Sequence, residues 1–272
     1  MRKTYYLTTL IILLLLIITS FLLTNSKDKH NNENKTNINT NYNFYKKELH
    51  ERYLNYKAKT NLPDKNVILN VNIGLDNPFY HNPKKTNNLN SYNVLVNKYN
   101  YLPSDFIPNN LVYLNEYSKS NSIQLVDEAY QAFKKLASDA LLQNLKIRIV
   151  SAYRSYDYQK NLYNNYLKTD SQDEVDTYSA RPGFSEHQTG LAIDVDNYLL
   201  SYNKFHLTQE FGWMLKNAHK YGFILRYGLN QENITGYKYE PWHYRYVGTK
   251  ISEYIYKNNI TYEEYYHEFI DI

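Results

Sequence analysis

The chain has 272 residues, 43% of them hydrophobic, enough for one sizeable domain with extra segments or for two small domains. Its formal net charge is +4 with no concentrated Lys/Arg stripe, too weak to argue for nucleic acid; it suits an anionic wall or membrane surface and many other places too. No cysteine is present, which excludes disulfides, thiolate zinc sites, a cysteine nucleophile and lipid attachment through cysteine; any metal site must use His and carboxylates.

Arg2 and Lys3 precede an apolar run from Tyr5 to Leu23 of about 19 residues, close to the roughly 20 that cross a bilayer as a helix. Positive charge before the run predicts an N-terminus inside and the remainder outside. Leu22-Leu23-Thr24-Asn25-Ser26 fits a small-residue cleavage site poorly, so residues 1–24 read as an uncleaved signal anchor rather than a cleaved signal peptide. Residues 25–43, polar and rich in Asn and Lys, read as a disordered tether.

Leu49, Tyr53 and Tyr56 recur at helical spacing and predict a helix over 44–59. The run Val67 to Ile73 predicts a strand ended by Gly74, and the loop-rich stretch 76–121 is expected to wrap the main domain. A clearer globular pattern starts near Ser122. Leu125, Val126, Ala129, Phe133, Leu136, Ala137, Ala140 and Leu141 follow helical spacing and predict one buried face on a helix. Lys146 to Tyr153 reads as a strand, and Ser155 as the cap of a helix running to about Leu167. Leu191, Ile193 and Val195 alternate with Ala192, Asp194 and Asp196, a strand pattern. Thr208 to Tyr221 is a capped helix stopped by Gly222, Tyr239 to Val247 a further strand candidate, and Thr261 with Glu264 a capping box. Helices and strands mix without regular βαβ alternation, which predicts an α+β fold.

Three clusters carry chemistry. In Ser185-Glu186-His187-Gln188-Thr189-Gly190-Leu191-Ala192-Ile193-Asp194, Gly190 permits a tight bend that can return His187 to Asp194, and the small Ala192 leaves room beside the carboxylate. Such a pair can bind zinc at roughly 2.0–2.2 Å, or can be an ordinary His–Asp hydrogen bond. In Glu240-Pro241-Trp242-His243, Pro241 disfavours helix, so this is not the helical H-E-x-x-H motif. On a flat strand 240 and 243 face opposite ways, so a shared site requires a bend or bulge; the alternative is a packed Trp with incidental polar neighbours. In Ser151-Ala152-Tyr153-Arg154-Ser155, Arg154 stands where a strand meets a helix, able to hold a carboxylate or oxyanion, or merely to form a surface salt bridge. Gln159 follows one turn later. His206, His219 and His267 match no motif and are expected on surface or packing segments.

Together these clusters resemble the VanY-type zinc D-alanyl-D-alanine carboxypeptidases and their L,D-carboxypeptidase relatives. The S-x-H-x-x-G-x-A-x-D pattern is matched at Ser185, His187, Gly190, Ala192 and Asp194. The E-x-x-W-H-type end is matched at Glu240, Trp242 and His243 with one residue fewer between Glu and Trp, and the Y-R-S element at Tyr153, Arg154 and Ser155, with Gln159 five residues after the Arg. The resemblance covers about Ser122 to Val247 and extends more loosely over 67–111.

The resemblance implies a small central antiparallel sheet flanked by helices, with one zinc ion at the sheet held by His187, Asp194 and His243. It implies Glu240 as general base and proton shuttle, Arg154 as stabiliser of the carbonyl oxygen, and Ser185, Gln159 and Tyr153 as substrate contacts. Peptidoglycan stem peptides would be the substrate, trimmed at the C-terminal D-alanine. The expected layout is a membrane anchor (1–24), tether (25–43), N-terminal wrapping segment (44–121) and catalytic domain (122–272), a single-pass membrane protein with its catalytic domain outside, acting as a monomer without nucleic acid. The competing reading is a catalytically inactive wall-binding or scaffold protein of the same fold. Such a protein would be expected to lose a ligand or the Glu, and all four residues are present.

Overall fold

The computed structural model describes residue 19 and residues 37–272, which divide into two units meeting between Val71 and Asn72. The apolar run from Tyr5 to Leu23 lies, apart from Thr19, outside the described residues. Among the described residues no helix is long and apolar enough to cross a membrane.

The first unit is built on α1 (His50–Lys59) and α2 (Asp64–Ile73). Tyr53, Val67, Ile68 and Val71 are buried in its core together with Ile38, a residue that composition alone assigns to the tether. The strand expected over 67–73 is a helix. Its β-branched run also satisfies helical spacing, and a short apolar run cannot be told from a buried helix by pattern alone. Asp64 in the first turn favours the helix dipole, and Gly74, at φ +105°, stops the helix where a side chain would be strained.

The second unit carries a four-stranded sheet of β1 (Arg148–Ser151), β2 (Ala192–Asp196), β3 (Phe223–Leu225) and β4 (His243–Tyr246), in the order β1-β2-β4-β3 with antiparallel neighbours. Its longer helices are α3 (Asp127–Leu141), α4 (Tyr156–Tyr166), α5 (Gln209–Asn217), α6 (Thr249–Asn258) and α7 (Tyr262–Phe269). The fold is α+β, as its mixed pattern predicts. Ile193 and Val195 of β2 join the main core with Phe133 and Leu136 of α3, and the Phe133 ring meets Phe223 edge-on. Period-2 alternation then places Asp194 on the opposite face. The antiparallel register sets Ser151, Asp194 and His243 side by side across β1, β2 and β4.

The stretch after Asn72 belongs to this unit. Val94, Val96, Leu102 and Leu114 enter the main core. Lys98 is buried, and its ammonium donates to the carbonyls of Asp176 (2.6 Å) and Gly236 (2.7 Å) above the Tyr237 ring. Burial pulls its pKa down to about 8.

Candidate active site

Each site residue is positioned by a local feature readable in the sequence. His187 lies in a single 3-10 turn, Glu186–Thr189, capped by the Ser185 hydroxyl, which accepts from the His187 amide at 3.3 Å. The turn ends at Gly190, at φ +66°, where a β-carbon would come within 3.0–3.1 Å of Leu111, Pro108 and Val126. Only glycine suits that bend, and it returns the chain into β2 so that His187 Nε2 stands 3.4 Å from Asp194 Oδ2. The other ring nitrogen, Nδ1, lies 2.6 Å from the Ala152 carbonyl, which accepts its proton and leaves Nε2 free as a donor atom for a cation.

A turn supplies the bend that Glu240 and His243 need. The His243 amide donates to the Glu240 carbonyl at 3.1 Å, and β4 begins at His243 itself. Glu240 Oε2 thereby lies 3.7 Å from His243 Nδ1, while that same nitrogen is 3.1 Å from Asp194 Oδ1.

His187, Asp194 and His243 are all buried, and one donor atom from each lies within 4.8 Å of the others. The donors are two imidazole nitrogens and a carboxylate oxygen, the set that zinc accepts with a fourth position left open in catalytic sites. The residues present therefore fit a zinc ion.

Burial and neighbouring charge set the titration of each group in the cluster. Burial and the nearby Arg154 pull the His187 pKa down to about 4, which keeps its ring neutral. Burial alone would raise Asp194, but His187 and Arg154 hold it well below the usual carboxylate range. Burial would lower His243, yet Asp194 and Glu186 raise it to about 9. Burial pushes Glu240 up to about 7.

The site opens into a cavity of about 490 Å³. Arg154 lines it, donating to Asp194 Oδ2 at 2.6 Å and to the Ser151 hydroxyl at 2.8 Å. Gln159 is carried in on α4, whose start is fixed by the Ser155 cap. Its amide nitrogen donates to the Ala180 carbonyl at 2.8 Å, and its Oε1 has no partner. Ser185 also lines the cavity. Tyr153 does not; its amide donates to the Gln124 carbonyl at 2.9 Å. Trp242 and Tyr202, in edge-on contact with ring centroids 5.1 Å apart, form part of the wall.

Sequence reasoning missed Glu186, Arg226, Arg245 and Glu263, four fully buried charged residues packed behind His243. The available signal is charge inside apolar strands, as in Phe223-Ile224-Leu225-Arg226 and Tyr244-Arg245-Tyr246, since an arginine in such a run needs a buried partner.

Known proteins resemble this chain in sequence and in fold. The family model VanY, D-alanyl-D-alanine carboxypeptidase, matches residues 122–249. The Bacillus subtilis protein YodJ, which carries a carboxypeptidase name, is 38% identical over 226 residues, spanning 77% of this chain and 82% of YodJ. The LdcB LD-carboxypeptidase, whose structure addresses peptidoglycan recognition, is 36% identical with a TM-score of 0.64, over 68% of this chain and 90% of LdcB. A variant of the D,D-pentapeptidase VanY from a VanB-type resistance cassette, in complex with Zn(II), is 27% identical with a TM-score of 0.55, over 64% of this chain and 98% of that one. On its sequence, its fold and the relatives it shares them with, the chain belongs to the VanY family of carboxypeptidases.

Proposed function

We propose that the chain is a zinc carboxypeptidase that removes the C-terminal D-alanine from peptidoglycan stem peptides. The observation that carries this reading is the convergence of His187, Asp194 and His243 with Glu240 beside them at the floor of one cavity. The similarity to LdcB and to zinc-complexed VanY supports both the metal and the substrate class.

One zinc ion, held by His187, Asp194 and His243, would supply Lewis-acid polarisation of the scissile carbonyl and acidify a water molecule. The chain's own residues do the rest. Glu240, raised toward neutrality by burial, takes a proton at its carboxylate and returns one to the leaving amine. Arg154 directs its guanidinium toward the carbonyl oxygen as negative charge builds there. Gln159 offers its unpartnered Oε1 to a substrate N–H, and Ser185 a hydroxyl at the cavity wall. Trp242 and Tyr202 shield this chemistry from bulk water.

Tetrapeptide and pentapeptide stems both end in D-alanine, and the same site chemistry serves L,D and D,D cleavage. The test is to incubate the full-length chain with each stem and read the products by mass spectrometry. One alanine should leave at least one stem, with activity stopped by a chelator and restored by zinc. Neither stem losing alanine from zinc-replete protein would overturn the reading and favour a binding or scaffold role.

Arg2, Lys3 and the run from Tyr5 to Leu23 form an anchor that holds the catalytic domain outside the membrane. Membrane fractionation with N-terminal sequencing checks this: an intact N-terminus in the membrane fraction is expected, and a soluble mature chain starting near Asn25 would refute the anchor.

A further inference from the structure

His243 has a second face, turned away from the other donors. Its Nε2 points at Glu186 Oε2 across 3.6 Å, and neither atom has a hydrogen-bond partner. The Glu186 side chain is completely buried. A carboxylate there persists only with cations against it, and two guanidinium groups supply them. Glu186 Oε1 accepts from Arg226 Nε at 2.8 Å and from Arg245 Nη1 at 2.9 Å. Both contacts fall on Oε1, so Oε2 is left for the imidazole.

The two arginines cannot swing. Arg245 also donates to the carbonyls of Val94 (2.8 Å), Tyr92 (3.1 Å) and Tyr246 (3.0 Å). Arg226 forms a two-pronged pair with Glu263 of α7, at 2.8 and 2.5 Å. Glu263 is in turn steadied by the Asn97 amide at 3.2 Å. This chain of contacts reaches from the C-terminal helix, beyond the segment matched by the family model, to a residue facing the metal donors.

We infer that Glu186 is a positioning residue for the metal ligand His243, and that Arg226 and Glu263 extend this support to the C-terminal helix. The inference rests on the zinc reading above. An imidazole that binds a cation through Nδ1 must carry its proton on Nε2, and an outer carboxylate that accepts this proton fixes the tautomer and the ring plane. Glu186 Oε2 stands where such an acceptor is needed. A cluster serving only to hold the fold together would have no reason to leave one carboxylate oxygen unpartnered toward a ligand ring.

The test is the zinc dissociation constant of the full-length chain by chelator competition, with thermal unfolding followed on the same samples. Glu186→Gln should weaken zinc binding about 10–100-fold in protein that remains folded. Glu186→Asp keeps the charge but shortens the reach, and should also weaken zinc binding; it decides the matter if Glu186→Gln does not fold. Thr208→Ala is the control, because it removes the side-chain cap at the start of α5 and touches neither Glu186 nor its charged partners. It should lower the melting temperature and leave zinc affinity unchanged. Wild-type zinc affinity in a folded Glu186 variant, or an equal loss in Thr208→Ala, overturns the inference while sparing the zinc reading. Absence of zinc from the wild-type chain overturns the zinc reading, and the inference falls with it.

Discussion

Two buried clusters of polar side chains meet at His243, and they are built on opposite plans. Behind the ring, Glu186, Arg226, Arg245 and Glu263 balance two acids against two bases, almost every donor and acceptor matched within 3.2 Å. In front, His187, Asp194, His243 and Glu240 crowd donor atoms together at 3.1–3.7 Å, with Arg154 as the cation beside them. The first arrangement is balanced in charge, with Glu186 Oε2 left open toward the His243 ring. The second makes sense as a socket, because burial of so many lone pairs is costly until a cation shares them. The contrast separates groups that hold the fold from groups that await a ligand.

Mutations should respect that division. The largest effect is expected for His243→Ala, which removes a donor that the rear cluster aims. Zinc and turnover should fall together to background, because two ligands rarely hold a catalytic ion; elemental analysis and a D-alanine release assay on one sample check this. Arg226→Met acts on the other side. It leaves Glu263 without its two-pronged partner and strips Glu186 of one cation, and breaking a buried pair costs about 3–5 kcal/mol. Urea unfolding of metal-free protein should show that loss, whereas His187→Ala under the same conditions should cost far less. Equal losses would erase the distinction between socket and support. The smallest effect belongs to Ser155→Ala, which lies outside both clusters. Its hydroxyl accepts from the Tyr158 amide at 3.1 Å, and losing the cap should cost about 1 kcal/mol of stability with turnover per folded molecule little changed.

The front cluster was largely legible in the sequence, and the rear one was not. Gly190, Pro241 and Ser155 are local punctuation: each sets a bend or a cap within a few residues of the side chain it positions, so motif spacing translates directly into geometry. The alternation around Ile193 and the Thr261–Glu264 capping box are local in the same sense, and both are present. Glu186, Arg226, Arg245 and Glu263 come from four separate elements, and their pairing is a product of tertiary packing that spacing does not encode. The helix over 64–73 eluded pattern reading for a related reason. Val67, Ile68 and Val71 suit either a buried strand or a buried helix, and the partners that decide, such as Tyr53 and Phe44, lie elsewhere in the chain. Tyr153 adjoins Arg154 in the motif, yet of the two Arg154 lines the cavity.

Glu240 tests the account most directly, since it stands in the front cluster without being needed as a ligand. Zinc content and turnover should be measured on one preparation of full-length Glu240→Ala. The account predicts one zinc per chain, as in the wild type, with kcat reduced about 10²–10⁴-fold and substrate binding little changed. Loss of zinc from this variant would make Glu240 a ligand, and near-normal turnover would make another residue the base; either result contradicts the account.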